Sequence, residues 1–336
     1  MNGIRFQLAL DSGAIALPDT GRVAVIRPRA GDDLGPLDRA VGRARIEVVT
    51  GFRPDHDAFA AAGYPARADL HGPYGAAVVS LPRARAHARA LVAAAAAAIA
   101  PGGPVVVDGQ KTDGIDSLLR DLRGQGADLS APVAKAHGRL AAFAAGTADL
   151  SGWTARPHVT PEGFTTLPGA FSAEGPDRGS ALLAAALPGR LPARLADLGA
   201  GWGYLSAAIL AREGVQTLDL VEAEADALAC ARINIPDPRA RFHWADATRF
   251  RPDRPLDAVV TNPPFHEGRA PDPGLGIAFL RAAAGMLSPA GTLWLVANRH
   301  LPYAPVLAET FRDHEEIGGD AVFRLIRAHR PIRPRG

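Results

Sequence analysis

Thr261-Asn262-Pro263-Pro264-Phe265 follows directly on the apolar run Leu256 to Val260, and no other stretch of the chain is better equipped for chemistry. Two consecutive prolines cannot sit inside a central strand or a helix interior, because each lacks an N–H and fixes φ near −65°. The chain is therefore expected to leave a strand here in a stiff, extended turn. That turn would hold the Asn262 amide, the Pro263 carbonyl and the Phe265 ring together at the strand's C-terminal edge. Such a group suits gripping a planar amino group: two oxygens accept its hydrogens while the ring stacks on the flat system bearing it. Read alone, the tetrapeptide is also compatible with an ordinary strand exit closed by a proline pair. Its position relative to a second motif decides between the two.

That motif is Leu195-Ala196-Asp197-Leu198-Gly199-Ala200-Gly201-Trp202-Gly203-Tyr204-Leu205, which reads as a buried strand, a glycine turn and a helix running on to Arg212. Gly199 and Gly201 allow backbone turns with φ > 0 and close approach of a ligand to the main chain. The dinucleotide pattern is not met, since its third glycine would fall at position 204, where Tyr204 stands. Asp197 is also foreign to that pattern. A cofactor carrying an ammonium group and ribose hydroxyls, rather than a pyrophosphate, would explain an acid there.

The elements that would position these residues continue in register. Gln216 to Val221 reads as a second strand ending in Glu222, where a ribose-binding acid belongs in a nucleoside-binding α/β sheet. Ala223 to Ile233 is helix-like, with Pro236 and Pro238 beyond it. Arg241 to Ala245 is a third strand ending in Asp246, and Leu256 to Val260 a fourth ending at Asn262. Asp197, Glu222, Asp246 and Asn262 are thus expected at the C-terminal ends of successive strands, which line the ligand crevice of an open parallel sheet. Any one of these acids alone reads as a solvated loop or N-cap residue; four in register do not.

On these residues the chain resembles a class I S-adenosylmethionine-dependent methyltransferase, and more narrowly the bacterial ribosomal RNA guanine-N2 methyltransferases of the RsmC type. Leu167-Pro168-Gly169-Ala170-Phe171-Ser172, with Asp177-Arg178-Gly179-Ser180 and Leu182-Leu183, is similar to that family's lead-in to the catalytic domain. Phe265-His266-Glu267-Gly268 resembles the continuation after the prolines, and Asn298-Arg299-His300-Leu301-Pro302-Tyr303 a late strand-to-loop segment. The matches cover roughly residues 165 to 328; the first half matches only in outline, through Gly109-Gln110-Lys111 and Gly114-Ile115. The resemblance implies a Rossmann-like catalytic domain preceded by a second, degenerate methyltransferase-like α/β domain. It implies S-adenosylmethionine held by Asp197, Gly199, Gly201, Glu222, Asp246 and Asn262. Catalysis would fall to Asn262, Pro263, Pro264 and Phe265, acting on a guanine 2-amino group of ribosomal RNA, most naturally 16S rRNA of the small subunit. A paired base cannot present that amine, so the target must be unpaired or flipped out. Trp202 departs from the family, where many relatives carry a small residue, and is expected to point away from the cofactor.

Composition sets the limits. A length of 336 residues suits two domains. The boundaries are expected as a substrate-positioning domain over 1–150 without a cofactor site, a linker over 151–164 anchored by Trp153, and the catalytic domain over 165–336. The 47% hydrophobic content excludes a disordered chain. Cys230 alone allows no intramolecular disulfide and suits a reducing cytoplasm, and its place in a helix reads as core packing. Ala88 to Ala100 is too short to span a bilayer, is broken by Arg89, and reads as a helix stopped by Pro101; no signal peptide is expected. No metal is expected either, since His243, His266 and His300 lack a tight ligand spacing.

A net charge of +2 does not argue for nucleic acid by itself. Of the 37 basic residues only Lys111 and Lys135 are lysines. Arg324, Arg327, Arg330, Arg333 and Arg335 crowd the end of the chain, and Arg83, Arg85, His87 and Arg89 form a smaller run; each set reads equally as solvated charge or as phosphate contacts. In the first half, the apolar runs Val23 to Ile26, Ile46 to Val49, Ala76 to Ser80 and Val105 to Asp108, with one helix between Ser80 and Val105, fit a further α/β layer. The partner is expected to be ribosomal RNA or the small subunit, the protein a monomer or weak oligomer. Three other readings stay open: the same fold acting on an adenine amino group or another RNA, on a protein glutamine amide, or a non-catalytic RNA-binding assembly factor with a relict cofactor site.

Overall fold

Buried β-branched runs and amphipathic helices alternate along the whole chain and build two sheets. In the computed structural model, which describes residues 1–264, 266–267, 270–271 and 273–333, the chain divides into two compact units, Met1–Pro157 and His158–Gly336.

The first unit holds β1 (Val23–Ile26), β2 (Ile46–Val49), β3 (Ala66–Arg67), β4 (Ala76–Ser80), β5 (Pro104–Gln110), β6 (Val133–Lys135) and β7 (Gly138–Ala144). They lie in the order β3-β2-β1-β4-β5-β7-β6. The first five run parallel, and β5-β7-β6 pair antiparallel. Every residue of β1, β2 and β4 is buried, as expected of parallel strands covered on both faces. Helices α1 (Gly3–Asp11), α2 (Gly35–Val41), α3 (Arg53–Ala61), α4 (Arg85–Ala97) and α5 (Ile115–Gly124) supply the cover. In α5 the buried residues Ile115, Leu118, Leu119 and Leu122 recur at the helical period and face the core. The β6–β7 hairpin was not visible in the sequence. Its two-residue turn uses Ala136 and His137, both at positive φ (48° and 55°), where the usual signal would be Asn-Gly.

The second unit repeats the plan. A short antiparallel pair, β8 (His158–Val159) and β9 (Thr165–Thr166), leads into α6 (Arg178–Ala186). There follow β10 (Arg194–Leu198), α7 (Tyr204–Leu210), β11 (Thr217–Glu222), α8 (Ala225–Asn234), β12 (Ala240–Trp244) and β13 (Leu256–Thr261). A two-stranded pair, β14 (His266–Glu267) and β15 (Ala270–Pro271), precedes α9 (Pro273–Met286). The unit ends with β16 (Leu287–Asn298), α10 (Ala304–Thr310), β17 (Phe311–Gly319) and β18 (Phe323–Pro331). The sheet order β12-β11-β10-β13-β16-β18-β17 is that of the first unit, strand for strand. Among the described residues no helix is long and apolar enough to cross a membrane.

Both basic clusters are partly paired within their own units. Arg327 pairs with Glu315 and Arg330 with Asp313 across the β17–β18 hairpin, while Arg333 donates to the carbonyl of Leu287. Arg335 lies outside the described residues. Of the clustered arginines, Arg327 and Arg330 thus meet acids of β17 that precede them in sequence, while Arg324 donates to the carbonyl of Leu301. In the first unit Arg85 and Arg89 share Asp121, at 2.8 and 2.9 Å, and Arg83 lies 3.8 Å from Asp113. Arg89 also stacks over Trp153, which is buried in this unit's core.

The first unit has the fold without the loop. Arg27 stands at the end of β1 with φ 54°, and its N–H donates to Val49 O, as Gly199 N–H donates to Val221 O at the end of β10. Pro28-Arg29-Ala30 then replaces the glycine turn, and Ser80-Leu81-Pro82 follows β4 with no side-chain amide. The same edge carries a buried ion pair from α1: Arg5, 1% exposed, donates to Asp108 at 2.5 Å and to the carbonyl of Lys135 at 2.6 Å, and both residues line a cleft there with Ser80 and Gln110. Removing one member of a buried pair strands the other charge. Arg5→Ala is expected to lower the stability of this unit by about 3–5 kcal/mol, measured by urea unfolding; a loss below about 1 kcal/mol, the range of exposed pairs, would contradict the packing described.

Candidate active site

The site begins with the pairing of β10 and β13. Leu198 lies opposite Thr261 at the C-terminal ends of these parallel neighbours. Thr261, fully buried, donates its hydroxyl hydrogen to Leu198 O at 2.7 Å. The two chain exits, Gly199-Ala200-Gly201 and Asn262-Pro263-Pro264, therefore leave the sheet side by side. On the other flank Leu198 lies opposite Val221, and Glu222 opposite Trp244, so the ends of β11 and β12 continue the same edge.

Gly199, Gly201 and Gly203 take φ of 75°, 56° and 97°, which only glycine adopts without strain. A Cβ on Gly201 would meet no atom within 4 Å, so this residue faces open space. Glu222 holds the turn from beneath: one carboxylate oxygen accepts from Gly201 N at 2.7 Å, the other from Glu224 N at 2.8 Å. Burial pushes the Glu222 carboxyl above its ordinary range, and the two backbone donors partly offset that.

Asn262 reaches back to the start of α6. Its Nδ2 donates to Asp177 Oδ2 and to Ser180 Oγ, both at 2.9 Å. Asn262, Asp177, Ser180, Gly199, Gly201, Phe171 and Tyr204 help line one cleft enclosing about 410 Å³ of empty space. Trp202 is also among the residues lining the cleft, although it is only 4% exposed. Its ring packs against Phe164 and Tyr204, and its Nε1 donates to Phe171 O at 2.9 Å. Pro263 is buried and Pro264 half-buried. Phe265 lies outside the described residues, as does Gly268.

Residues 162–327 match the family described as "Methyltransferase small domain". The chain is 32% identical over 247 residues to the ribosomal RNA small subunit methyltransferase C of Shewanella halifaxensis, covering 70% of this chain and 71% of that protein. It is 33% identical over 270 residues to the protein of the same description from Pseudomonas paraeruginosa, covering 77% and 80%. The chain belongs to the ribosomal RNA small subunit methyltransferase C family. A solved 16S rRNA N2 methyltransferase (RsmC) of T. thermophilus, in complex with AdoMet and guanosine, superposes over 95% of this chain and 91% of its own, with a TM-score of 0.77 and 26% identity.

Within this family frame Asp197 and Asp246, two of the expected cofactor ligands, each hold bonds within the protein. Asp197 is not at the strand end. It lies one residue inside β10, between Leu220 and Val260, fully buried, and does not reach the cleft wall. The alternation of the strand turns it toward α7, where Ser206 donates to its Oδ2 at 2.7 Å and its Oδ1 is left without a partner. Asp246 does follow β12, but its Oδ1 closes its own turn, accepting from the N–H and hydroxyl of Thr248 at 2.8 and 2.6 Å. Asp177, Ser180 and Thr261 were not singled out as site residues. Asp177 and Ser180 stood out in the sequence only as part of the lead-in segment; in the structure Asp177 is the N-cap of α6 and accepts from Ser180 N in that role. Among the described residues no cluster of His, Cys, Asp and Glu could hold a metal ion. Cys230 is buried in α8, where burial pushes its thiol up to about 11.

Burial pushes the Asp197 carboxyl up to about 7, with the nearby Glu222 charge adding to the shift and the Ser206 hydrogen bond opposing it. Folding therefore favours the protonated form. That advantage is complete below the ordinary aspartate value near 4, and is lost as pH rises from about 4 to about 7. Asp197→Asn never ionises and escapes the loss. Its urea midpoint, followed by tryptophan fluorescence without ligand, is expected to match the wild type near pH 4 and to exceed it at pH 8. The gain should be on the order of a few kcal/mol, at 1.36 kcal/mol per pKa unit. A difference that does not change with pH would contradict the buried, raised acid.

Proposed function

We propose that this chain transfers a methyl group from S-adenosylmethionine to the exocyclic 2-amino group of a guanine in small-subunit ribosomal RNA. One observation carries the reading: the glycine turn and Asn262 line a single cleft, so a donor bound by one adjoins an acceptor gripped by the other. The AdoMet and guanosine in the T. thermophilus relative support both chemical identities. The residues present fit the cofactor: an open-faced Gly201 on the cleft wall and the Glu222 carboxylate beside the turn. Bound S-adenosylmethionine supplies an electrophilic methyl group on a sulfonium sulfur.

The chain's own residues do the rest. Each Glu222 oxygen has lone pairs beyond the one given to a backbone amide, and these suit ribose hydroxyls. Asp246 sits one strand further along, on the adenine side. The amine nitrogen of guanine is a poor nucleophile because its lone pair is delocalised into the ring. The Asn262 side-chain oxygen and the Pro263 carbonyl would accept its two hydrogens, draw it toward tetrahedral geometry and localise that pair. Phe265 would stack on the base, worth ~1–3 kcal/mol in single-strand recognition. No strong base is needed, since the ammonium formed on transfer loses its proton readily to solvent. Most of the acceleration is positional. The first unit lacks both loop and amide, and its role in this reading is substrate positioning.

Two variants separate binding from chemistry. Glu222→Ala removes a charged acceptor and is expected to weaken S-adenosylmethionine binding by roughly 1.5–3 kcal/mol in calorimetry. Asn262→Ala is expected to bind the cofactor nearly as the wild type does while kcat falls on the order of 100-fold or more, having lost an interaction that strengthens toward the transition state. Near-normal turnover in Asn262→Ala would sink the proposed role of its amide oxygen. For the first unit, isolated residues 158–336 should bind S-adenosylmethionine yet methylate RNA poorly; a soluble, fully active fragment would rule out substrate positioning by residues 1–157.

A further inference from the structure

An asparagine amide is useful as an acceptor only if its oxygen, and not its nitrogen, faces the substrate. The two atoms are nearly isosteric, and a free side chain presents either by a half-turn about its terminal bond. In this chain the choice is made by α6. Asp177 Oδ2 and Ser180 Oγ both lie 2.9 Å from Asn262 Nδ2. A carboxylate can only accept, so the Asn262 group facing it must be the nitrogen. Both amide hydrogens are thereby used, and the oxygen is directed away from α6. Ser180 is buried and Asp177 half-buried, so turning the amide over would set its oxygen against the Asp177 carboxylate where water is partly excluded.

The start of α6 is itself fixed. A single oxygen, Asp177 Oδ2, caps the helix by accepting from Ser180 N at 2.9 Å and also holds Asn262. Arg178 pairs with Asp320 at 2.6 Å, tying the first turn to the loop between β17 and β18. Gly179 leaves no slack: a Cβ there would come within 3.0 Å of Asp177 Oδ2 and 3.1 Å of the Phe323 ring. Contacts 82 and 85 residues away in sequence thus set the direction of the Asn262 amide.

We propose that Asp177 and Ser180 are positioning residues for methyl transfer, which fix the Asn262 amide with its oxygen toward the amine that accepts the methyl group. The inference rests on the functional reading above. It is tested with full-length protein, S-adenosylmethionine tritiated in the methyl group, and unmethylated small-subunit rRNA, at saturating concentrations of both. Asp177→Ser keeps a good helix N-cap but cannot also reach Asn262. Its unfolding midpoint is expected to stay close to wild type while kcat falls on the order of 100-fold, the cost of a small misplacement of reacting groups. Asp177→Asn keeps one oxygen able to serve both donors and is expected to recover most of that loss. Ser180→Ala removes one of two hydrogen bonds, and a roughly 5-fold lower kcat is expected. The KM for RNA should change little in all three.

Wild-type kcat in Asp177→Ser, or an Asp177→Asn variant as impaired as Asp177→Ser, would overturn the positioning role. Should Asp177→Ser fail to fold, an unchanged kcat in Ser180→Ala would overturn it alone. An independent readout is hydrogen exchange of the Asn262 side-chain amide followed by NMR, expected to be slow in the wild type and faster in Ser180→Ala. Equal exchange in both would also overturn the role. Absence of methyl transfer by the wild type would instead refute the functional reading, leaving the exchange result to speak for the geometry.

Discussion

The hydroxyl of Thr261, buried and bonded to Leu198 O, closes the one seam on which the site depends. β10 lies between β11 and β13, so the chain that continues from β10 to β11 on one side returns on the other. At such a reversal the loops leaving neighbouring strands diverge to opposite faces and open a crevice at their C-terminal ends. The glycine turn leaves from one side of that crevice and Asn262 from the other. A slip in the β10–β13 register would move the amide about 3.3 Å along the strand per residue and turn it to the other face. Catalytic geometry here is a consequence of strand register before it is a property of any side chain.

Two copies of one strand order in a single chain show how little the fold alone decides. Both sheets run through the same sequence of neighbours, and in both the residue after the central strand has positive φ and donates to the adjacent strand. In the second unit that residue is Gly199, followed by further glycines around open space. In the first it is Arg27, followed by proline and arginine, and the buried Arg5–Asp108 pair stands at that edge beside a cleft of its own. The two edges thus differ in particular residues, while the strand order around them is the same.

Much of this was legible in the sequence, for a physical reason. Parallel strands covered on both faces are short apolar runs, so Val23–Ile26, Ile46–Val49 and Ala76–Ser80 could be bounded to the residue. Glycine and proline punctuate them because they favour the backbone angles of turns and strand exits, which made the turn at Gly199 and the exit at Asn262 readable. What could not be read depends on direction in space. The burial of Asp197 follows from which face of β10 it occupies and from α7 above it. The pairing of the C-terminal arginines with Asp313 and Glu315 needs the β17–β18 register. The grip of Asp177 and Ser180 on Asn262 crosses more than eighty residues, and the lead-in motif that holds both gives no sign of it.

The most direct measurement is the nucleoside composition of small-subunit rRNA from cells lacking this gene, digested and resolved by mass spectrometry. Loss of one equivalent of N2-methylguanosine is expected, restored by the wild-type gene and not by one encoding Asn262→Ala. An unchanged level of N2-methylguanosine, or the loss of a methylated adenosine in its place, would contradict the guanine assignment.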